Sequence, residues 1–510
     1  MPECARQWPE AGRVGRRQVG RHSARQYRCV FRRALVAAIA SAFLPSVALA
    51  SDAAPPVPWL SLPDALRQLT DPGGVRSQLE QAGLKFSFTY YGDAFWNPIG
   101  GVKLGQGYDG RFGAIMDADL AKLVGWFGAT FHASVQQIHG TQFSTTNLDN
   151  LATVSAFEAP LSTRLFNLWI EQKFGDQASL RVGQFTAAQE FMVSDVANLF
   201  VNSSFGWPVL ASQNPPSGGP NWPEGTLGAR AEWSLTRELT FRTAVFDGDP
   251  AGPGTGSPVL RDPDGLAFRI NDPPFVIAEL EYNYNQDNKI HEDNPNQEAR
   301  AVAAPPQRAQ RAPSSGSSSG GLPGTIILGG WYHIGQFADQ RFDSQGGFLA
   351  VSAGTPAQHA GDFSVYGMID QRLWQAGTHA LDGFVRVMGS PDNRNPISFY
   401  LDTGLALEGP FDSRPNDILG LGVVYARVSP QAAAADRDIA AITATPIPIR
   451  DYEAVIDLTY RIQLARNWSM QPNLQYIIHP GGHIADPNIP GGVTPIPNAL
   501  VLGLRTQLRF

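Results

Sequence analysis

The sequence predicts an all-β protein, a sixteen-stranded antiparallel transmembrane β-barrel with a short N-terminal helical lead-in. Three observations favour it: long segments of alternating polar and apolar residues, aromatic residues near many segment ends, and an apolar stretch near the start that is typical of export. The segments run for about 9 to 14 residues, as membrane-crossing strands do, whereas strands of ordinary sheets average about 5 to 6. The chain contains no run of the roughly 18 apolar residues that a transmembrane helix needs.

The last segment shows the alternation most clearly. One face carries Leu500, Leu502, Leu504, Thr506, Leu508 and Phe510, and the other carries Gly503, Arg505, Gln507 and Arg509. A period of two residues is the pattern of a strand with two different faces. In a membrane barrel the polar face must point inward, because a charge facing lipid at mid-membrane costs on the order of 2–4 kcal/mol.

Sixteen segments share this pattern, an even number, as closure with both ends on one side requires. Connections after odd segments are long and those after even segments are mostly tight, which is typical of outer loops and periplasmic turns. One long connection, 287–323, follows an even segment and is rich in Pro, Gly, Ser and Gln. That composition predicts a disordered periplasmic insertion. The segments lie near 84–96, 110–122, 126–139, 163–173, 178–186, 225–235, 238–247, 275–286, 324–335, 362–373, 379–389, 397–408, 417–429, 450–464, 467–478 and 499–510.

Aromatic residues near the segment ends predict the girdles of a membrane barrel. They are Tyr91, Trp96, Trp126, Trp331, Trp374, Trp468 and Phe510.

The first fifty residues predict a cleaved signal peptide. Arg32 and Arg33 precede the apolar run 34–44, and Ala48-Leu49-Ala50 forms a small-residue cleavage site. We therefore expect three parts: the signal peptide 1–50, a periplasmic lead-in with short helices 51–83, and the barrel 84–510. Export of a barrel places the protein in the outer membrane of a Gram-negative bacterium.

Removal of this segment changes charge and cysteine content. It holds nine of the 39 basic and two of the 46 acidic residues, which leaves 30 and 44 and a net charge of −14. A nucleic-acid-binding footprint is therefore not expected. Cys4 and Cys29 also lie in this segment, which excludes disulfides and thiolate metal sites from the mature chain. No glycine loop suggests a nucleotide, and we expect no cofactor.

The chain resembles the OprB family of carbohydrate-selective porins almost from end to end of the expected mature part. The resemblance rests on PGGVRSQLEQAGLKFSFTYYGDAFWNPIGG (72–101), LRVGQFTAAQEFMVSDVANLFVNSSFGWP (180–208), GPFDSRPNDILGLGVVYARVS (409–429), DYEAVIDLTYRIQLARNWSMQPNLQYIIHPGG (451–482) and PNALVLGLRTQLRF (497–510). It implies a sixteen-stranded channel for passive diffusion of small sugars such as glucose.

The third long loop, 187–224, is the expected constriction, because its aromatic and amide groups suit the faces and hydroxyls of sugars. Pore-lining residues that we expect to bind substrate lie in this loop and on the strands beside it; the alternative is a loop packed on itself and wall charges that only keep the lumen wet. These residues are Trp169, Glu171, Arg181, Asp195, Asn202, Trp207, Arg230 and Glu232.

Other chemistry is less favoured by the sequence. His132 and Ser134 share a strand face, but no oriented acid completes a triad, so we expect no catalytic residues. His479 and His483 flank Pro480-Gly481-Gly482, which cannot form one helical face, so we expect no metal site.

Three functions and several partners remain open at this point. The rivals to a sugar porin are a general or cation-preferring porin, suggested by the charge of −14, and a barrel enzyme acting on lipid. Expected partners are small sugars, outer-membrane lipid and lipopolysaccharide, and the assembly is either a homotrimer or a monomer.

Overall fold

The computed structural model describes residues 62–286, 321–352 and 354–510. The predicted signal peptide, the first residues of the lead-in (51–61) and nearly all of the predicted insertion (287–320) lie outside the described residues.

Sixteen antiparallel strands form a closed barrel in which each strand pairs with its sequence neighbours and β1 also pairs with β16. The predicted fold class is confirmed. The strands are β1 (Leu84–Ile99), β2 (Gly105–Asp119), β3 (Ala129–Gly140), β4 (Ser162–Phe174), β5 (Ala178–Phe185), β6 (Thr226–Ser234), β7 (Leu239–Phe246), β8 (Phe275–Tyr284), β9 (Gly324–Asp343), β10 (Pro356–Ala376), β11 (His379–Gly389), β12 (Ile397–Glu408), β13 (Ile418–Val428), β14 (Tyr452–Ala465), β15 (Trp468–Ile478) and β16 (Ala499–Arg509).

The helices are short and lie outside the strands. In the described part of the chain, none has the length and apolar character needed to cross a membrane. They are α1 (Leu62–Leu69), α2 (Val75–Ala82), α3 (Leu120–Val124), α4 (Val209–Gln213), α5 (Pro258–Arg261), α6 (Pro430–Thr443) and α7 (Pro480–His483).

The lead-in is fastened to the barrel where the first and last strands meet. Arg76, on α2, donates from Nη2 to the carbonyl oxygens of Phe86 (2.6 Å) and Phe510 (2.9 Å). Helix α2 ends at Gly83, whose φ of 107° is a backbone conformation that suits glycine. The guanidinium of Arg76 therefore bonds to carbonyl groups at both strands of the β1–β16 pair that closes the barrel.

The two faces of each strand differ as the alternation predicts. On β14, Glu453 and Asp457 are buried inside the barrel, whereas Ile456 and Leu458 point outward and are exposed. The exposed band of large apolar side chains is the surface that a barrel presents to lipid.

The aromatic girdle is partly different from the prediction. Trp96, Trp126 and Trp374 are each nearly half exposed, as expected. Tyr91 and Trp331 are both only 2% exposed and point into the barrel, so their assignment to the girdle is wrong. The reason is strand parity: Tyr91 shares the inner face with Asp93.

Strands β9 and β10 are longer than predicted, with 20 and 21 residues. The long outer loop expected over 336–361 therefore shrinks to 344–355, because most of it continues the strand pairing beyond the length that crosses a membrane.

The hydrophobic core lies inside the barrel rather than between two layers. Phe191, Leu199, Phe200 and Phe205 of the connection between β5 and β6 are buried against inward residues of the wall such as Phe384. The apolar residues of this connection therefore fill part of the lumen. The open space lies on the opposite side, next to β14–β16 and β1–β5.

Candidate functional site: the lumen and its two inward loops

The connection 187–224, which we name the constriction loop, folds into the barrel. It consists of short 3₁₀ turns and α4, and its main chain bonds to inward side chains of distant strands. The N–H of Asp195 donates to Asp370 on β10 (3.1 Å), as does the hydroxyl of Ser194 (2.6 Å), and the carbonyl of Leu199 accepts from Gln471 on β15 (2.7 Å). The loop thus reaches across the lumen from β5 to the opposite wall.

Arg386, on β11, is the strongest single attachment of the constriction loop. Its fully buried guanidinium pairs with Asp402 (2.9 and 2.5 Å) and donates to the carbonyls of Met192 (2.8 Å), Ser204 (3.0 Å) and Phe205 (3.0 Å). A buried cation is stable where it is paired and its donors are satisfied. The loop carbonyls accept three of the hydrogen bonds that this buried guanidinium donates, so the wall and the loop stabilise each other.

Three glycines of the wall make room for the loop. A Cβ at Gly404, Gly420 or Gly422 would lie 2.6–2.8 Å from side-chain atoms of Phe200, Leu199 or Phe205. Glycine inside a strand is typical of a site of close approach. These glycines on β12 and β13 are the sequence signal for the docking surface, which the alternation pattern alone did not reveal.

The connection 141–161, which we name the second inward loop, also folds into the lumen, and the sequence did not predict this inward folding. Leu151 and Ala152 donate their N–H groups to Glu453 (2.8 and 2.7 Å), and Ser155 donates to Asp93 (2.5 Å). Asn202 of the constriction loop donates to the carbonyl of Ala152 (3.0 Å) and so joins the two loops.

Two loop carboxyl groups are held in surroundings that favour their protonated form. Burial, together with the charge of Asp109, raises the pKa of Glu158 to about 8, although the N–H groups of Ser144 and Thr145 donate to it. Burial raises the pKa of Glu224 to about 7 against the opposing charge of Arg164. Both are neutral in part of their population near neutral pH.

The two loops enclose a cavity of about 470 Å³ against the wall formed by β14–β16 and β1–β5. That volume is within the range of about 300–1,000 Å³ typical of small-molecule sites. Its lining mixes aromatic rings with guanidinium and amide groups, for example Tyr91, Arg111, Gln136, Asn198, Trp222 and Arg505.

An aromatic side chain of the second inward loop holds two arginines of the wall. The Cζ atoms of Arg111 and Arg505 lie 4.4 and 4.7 Å from the ring centroid of Phe157. Arg505 also pairs with Asp93 (2.8 and 2.7 Å). Cation–π contacts orient a guanidinium without using its N–H donors. Phe157 was not predicted as a site residue, because its role depends on the inward folding of its loop.

Three predicted site residues, Glu171, Arg181 and Arg230, come together in a closed ion-pair network. Arg181 bonds to Glu171 (2.8 Å) and to Glu190, while Arg230 bonds to the same two carboxylates (3.0 and 3.1 Å). Glu190, of the constriction loop, was missed by the sequence reasoning. Of these residues, Arg181 lines the cavity, and the others fix its position.

Trp169 lines the cavity with its edge rather than its face. One ring face is stacked on His132 (centroids 4.7 Å apart), and Arg181, from the strand on the other side, lies 3.9 Å from the ring centroid. Sugar stacking on the faces of Trp169 is therefore not available in this arrangement. The ring of Trp222 also borders the cavity and is only partly buried, with its Nε1 donating to Gln136 (2.6 Å).

The remaining predicted residues have separate positions. Asn202 and Trp207 are buried and line the cavity, and Trp207 donates from Nε1 to Gly218 (3.2 Å). Asp195 is exposed, and its N–H donates to Asp370. Glu232 pairs with Arg242 on β7 (2.7 and 2.5 Å), so it does not join the network of Arg181 and Arg230.

The histidine–serine pair does not form a nucleophile and its base. His132 is bonded through Nδ1 to Asp117 (2.7 Å), an acid that the sequence did not reveal. Ser134 accepts instead from the N–H of Asn167 (3.2 Å), and in the described residues no hydrogen bond joins it to His132. A serine without contact to its base is not activated.

Comparisons with known proteins agree with this architecture. Residues 104–510 match the family described as "Carbohydrate-selective porin, OprB family". Porin B of Pseudomonas aeruginosa is 24% identical over 475 residues, covering 88% of this chain and 92% of that protein. The putative porin QuiX of Acinetobacter baylyi is 24% identical over 471 residues, covering 87% and 92%.

Among solved structures, one of Pseudomonas putida OprB, determined at high pH, is similar with a TM-score of 0.71 and 22% identity. It covers 86% of this chain and 97% of that chain, and it supports the barrel fold. Because the family match covers most of the chain, the protein belongs to the OprB family of carbohydrate-selective porins, channels of the Gram-negative outer membrane rather than enzymes.

Proposed function

We propose that this porin lets small neutral sugars such as glucose diffuse passively through the cavity between its two inward loops. The observation that carries the proposal is the lining of that cavity, which holds a partly buried tryptophan, Trp222, together with arginine and amide donors. Sugars present hydroxyl groups around the edge of a ring with apolar faces, and these two kinds of wall group match both features.

The arginines supply the hydroxyl-binding edge in this proposal. A guanidinium carries five N–H donors in a fixed fork, which can reach two neighbouring hydroxyls. Phe157 lies against Arg111 and Arg505 without using their N–H donors, and Asp93 accepts from Nε and Nη2 of Arg505. The position of Arg181 is fixed differently, by ion pairs with the carboxylates of Glu171 and Glu190.

The rival of a cation-preferring porin has weaker support from the wall. The cavity is bordered by five arginines, whereas its acidic residues are Asp117 and Glu158. Of these acids, Asp117 is bonded to His132. The net charge of −14 expected for the mature chain is therefore not the charge that a permeating ion meets. The bordering arginines are Arg111, Arg181, Arg461, Arg505 and Arg509.

Single-channel current with glucose added tests the proposed site. Trp222→Ala and Arg111→Met should each weaken glucose block of the current by about two- to tenfold, the effect of one lost hydrogen bond or contact of 0.5–1.5 kcal/mol. Trp233→Ala, on the exposed outer face, is the matched control and should leave block unchanged. Parent-like block in both cavity variants would contradict this site.

The outer surface is proposed to contact membrane lipid and, at its outer rim, lipopolysaccharide. The exposed apolar side chains of the strands and the exposed Trp96 support this contact. Both a monomer and a homotrimer fit such a surface. Chemical crosslinking in outer-membrane vesicles, read against the heat-denatured chain, distinguishes them.

A further inference from the structure

The rim of the barrel holds a cluster of metal-binding side chains that plays no part in the lumen. Asp451 directly precedes β14, and His479 and His483 lie in the connection that follows β15. One donor atom from each lies within 4.8 Å of the other two. We infer that Asp451, His479 and His483 form a binding site for a first-row divalent cation such as Zn²⁺.

The donor atoms lie close enough to one another to share one metal ion. Asp451 Oδ1 and His479 Nδ1 are 3.0 Å apart. Two ligands at about 2.0–2.1 Å from a tetrahedral Zn²⁺ lie about 3.3 Å from each other. The rings of His479 and His483 are stacked, with centroids 4.2 Å apart and 19° between their planes, so one ring has to turn out of the stack for both lone pairs to point at the same ion.

Hydrogen bonds prepare His483 as a ligand. Its Nδ1 is 3.2 Å from the carbonyl oxygen of Ile449, and because a carbonyl only accepts, the proton of this bond is on Nδ1. In the neutral ring, Nε2 then keeps its lone pair. Metal-binding histidines usually have such a partner on the other ring nitrogen.

The backbone around the cluster is fixed in an unusual conformation. His479 and His483 have φ angles of 53° and 75°, in the left-handed region that residues other than glycine rarely adopt. Asn498 accepts from the N–H of His479 (2.9 Å), and Gly482 accepts from the N–H of Asp451 (3.0 Å). These bonds join the two connections and hold the three side chains together before any ion arrives.

The kind of ion follows from the donors. Imidazole suits Zn²⁺, Cu²⁺ and Ni²⁺, whereas Mg²⁺ and Ca²⁺ prefer sites made of oxygen atoms. The side chains of His479 and Asp451 are 26% and 42% exposed, so an ion can enter and a water can complete the coordination. The sequence did not favour this site because Asp451, 28 residues before His479, gave no spacing signal.

Isothermal titration with ZnCl₂ tests the inference on the folded mature chain in detergent, without a polyhistidine tag. The parent should bind one Zn²⁺ with an affinity at least tenfold above that for Mg²⁺. His479→Asn, His483→Asn and Asp451→Asn should each weaken binding by more than about tenfold, the effect that even an outer partner of a zinc ligand can have. Asparagine is chosen because it tolerates the left-handed backbone.

A matched control separates the cluster from ordinary surface histidines. His359 is paired with Asp339 (2.7 Å) and its side chain is 24% exposed, but it belongs to no cluster of three possible ligands among the residues that the structure describes. His359→Asn should bind Zn²⁺ like the parent. Co²⁺ added to the parent should give visible absorption that is lost in His483→Asn, with heat-modifiable migration showing that each variant is folded. No binding by the parent, or equal binding by the parent and all three cluster variants, would overturn the inference.

Discussion

Replacing Arg386 with methionine removes the cation that fastens the constriction loop to the wall. The guanidinium bonds to three loop carbonyls and pairs with Asp402, all without exposure to solvent. Methionine keeps the apolar stem of the side chain but has no N–H donor, so the carbonyls of Met192 and Phe205 and the buried carboxylate of Asp402 lose their bonds to the cation. The carbonyl of Ser204 still accepts from the hydroxyl of Tyr400. Breaking a buried ion pair on one side costs about 3–5 kcal/mol, more than a hydrogen bond to a charged group at about 1.5–3 kcal/mol.

If this cost falls on the docked state of the loop, the ratio of docked to undocked loop decreases by two to three powers of ten or more, since about 1.4 kcal/mol is a factor of ten. The channel should then show a larger mean conductance, more current noise and weaker glucose block. Single-channel recording in planar bilayers measures all three.

Two further variants separate loop release from damage to the barrel. Arg372→Met breaks a similar wall pair with Asp382 (2.9 Å), away from the constriction loop, and should keep the parent conductance. Arg386→Met combined with Asp402→Leu removes the unpaired charge but still loses the loop carbonyl bonds, so the conductance should remain high. A folded Arg386→Met channel with parent-like conductance and glucose block would refute the reasoning.

Three other perturbations test separate parts of the account. Gly422→Ala places a Cβ 2.6 Å from a ring of the constriction loop and should raise conductance, whereas Gly389→Ala, with open space, should not; bilayer recording compares them. Burial raises the pKa of Glu158 to about 8, so the folded state holds the proton of this carboxyl group more tightly than the unfolded state does. The melting temperature should therefore fall as the pH rises from 4.5 to about 8, and Glu158→Gln should flatten this dependence. An equally steep dependence in Glu158→Gln would contradict the assignment. Deletion of 296–321 should leave a barrel that still migrates as a heat-resistant folded species on a gel. On intact cells, a tag inserted in place of 296–321 should stay unlabelled, whereas a tag in 479–498 should be labelled. The opposite labelling would reverse the assignment of the two barrel ends to the periplasm and the cell surface.

The wall could be predicted from the sequence because lipid and lumen impose opposite demands on alternate residues. Leu502 and Leu504 point outward and Arg505 inward for the same reason that a period of two is visible in the sequence. Aromatic residues such as Tyr91 and Trp331 suit both the girdle and the lumen, and strand parity, rather than residue type, decides between them.

The loops could not be predicted to the same extent, because their contacts join residues far apart in the sequence. Arg386 meets the carbonyl of Met192 across almost two hundred residues, and Asn202 meets Gln475 across more. Within the candidate site, Arg181 and Glu171 face each other on neighbouring strands, so local strand pairing alone brings them together. Glu190, which completes their network, lies in the loop.

Glycines were the sequence signal that was available for the docking surface. Gly420 and Gly422 interrupt the alternation of β13 at positions where a wall residue would normally carry a side chain. Their inward parity predicts close approach of another segment, but it does not identify that segment. The structure supplies this identity through Leu199, Phe200 and Phe205.

Liposome swelling tests the central claim of carbohydrate selectivity most directly. Liposomes containing the parent porin are diluted into isotonic glucose, into other monosaccharides and into neutral, non-sugar polar solutes of the same size. Swelling should be faster with the sugars than with the size-matched solutes, and the difference should be smaller in Trp222→Ala liposomes. Rates that follow solute size alone, with no advantage for sugars, would contradict this claim and identify a general porin.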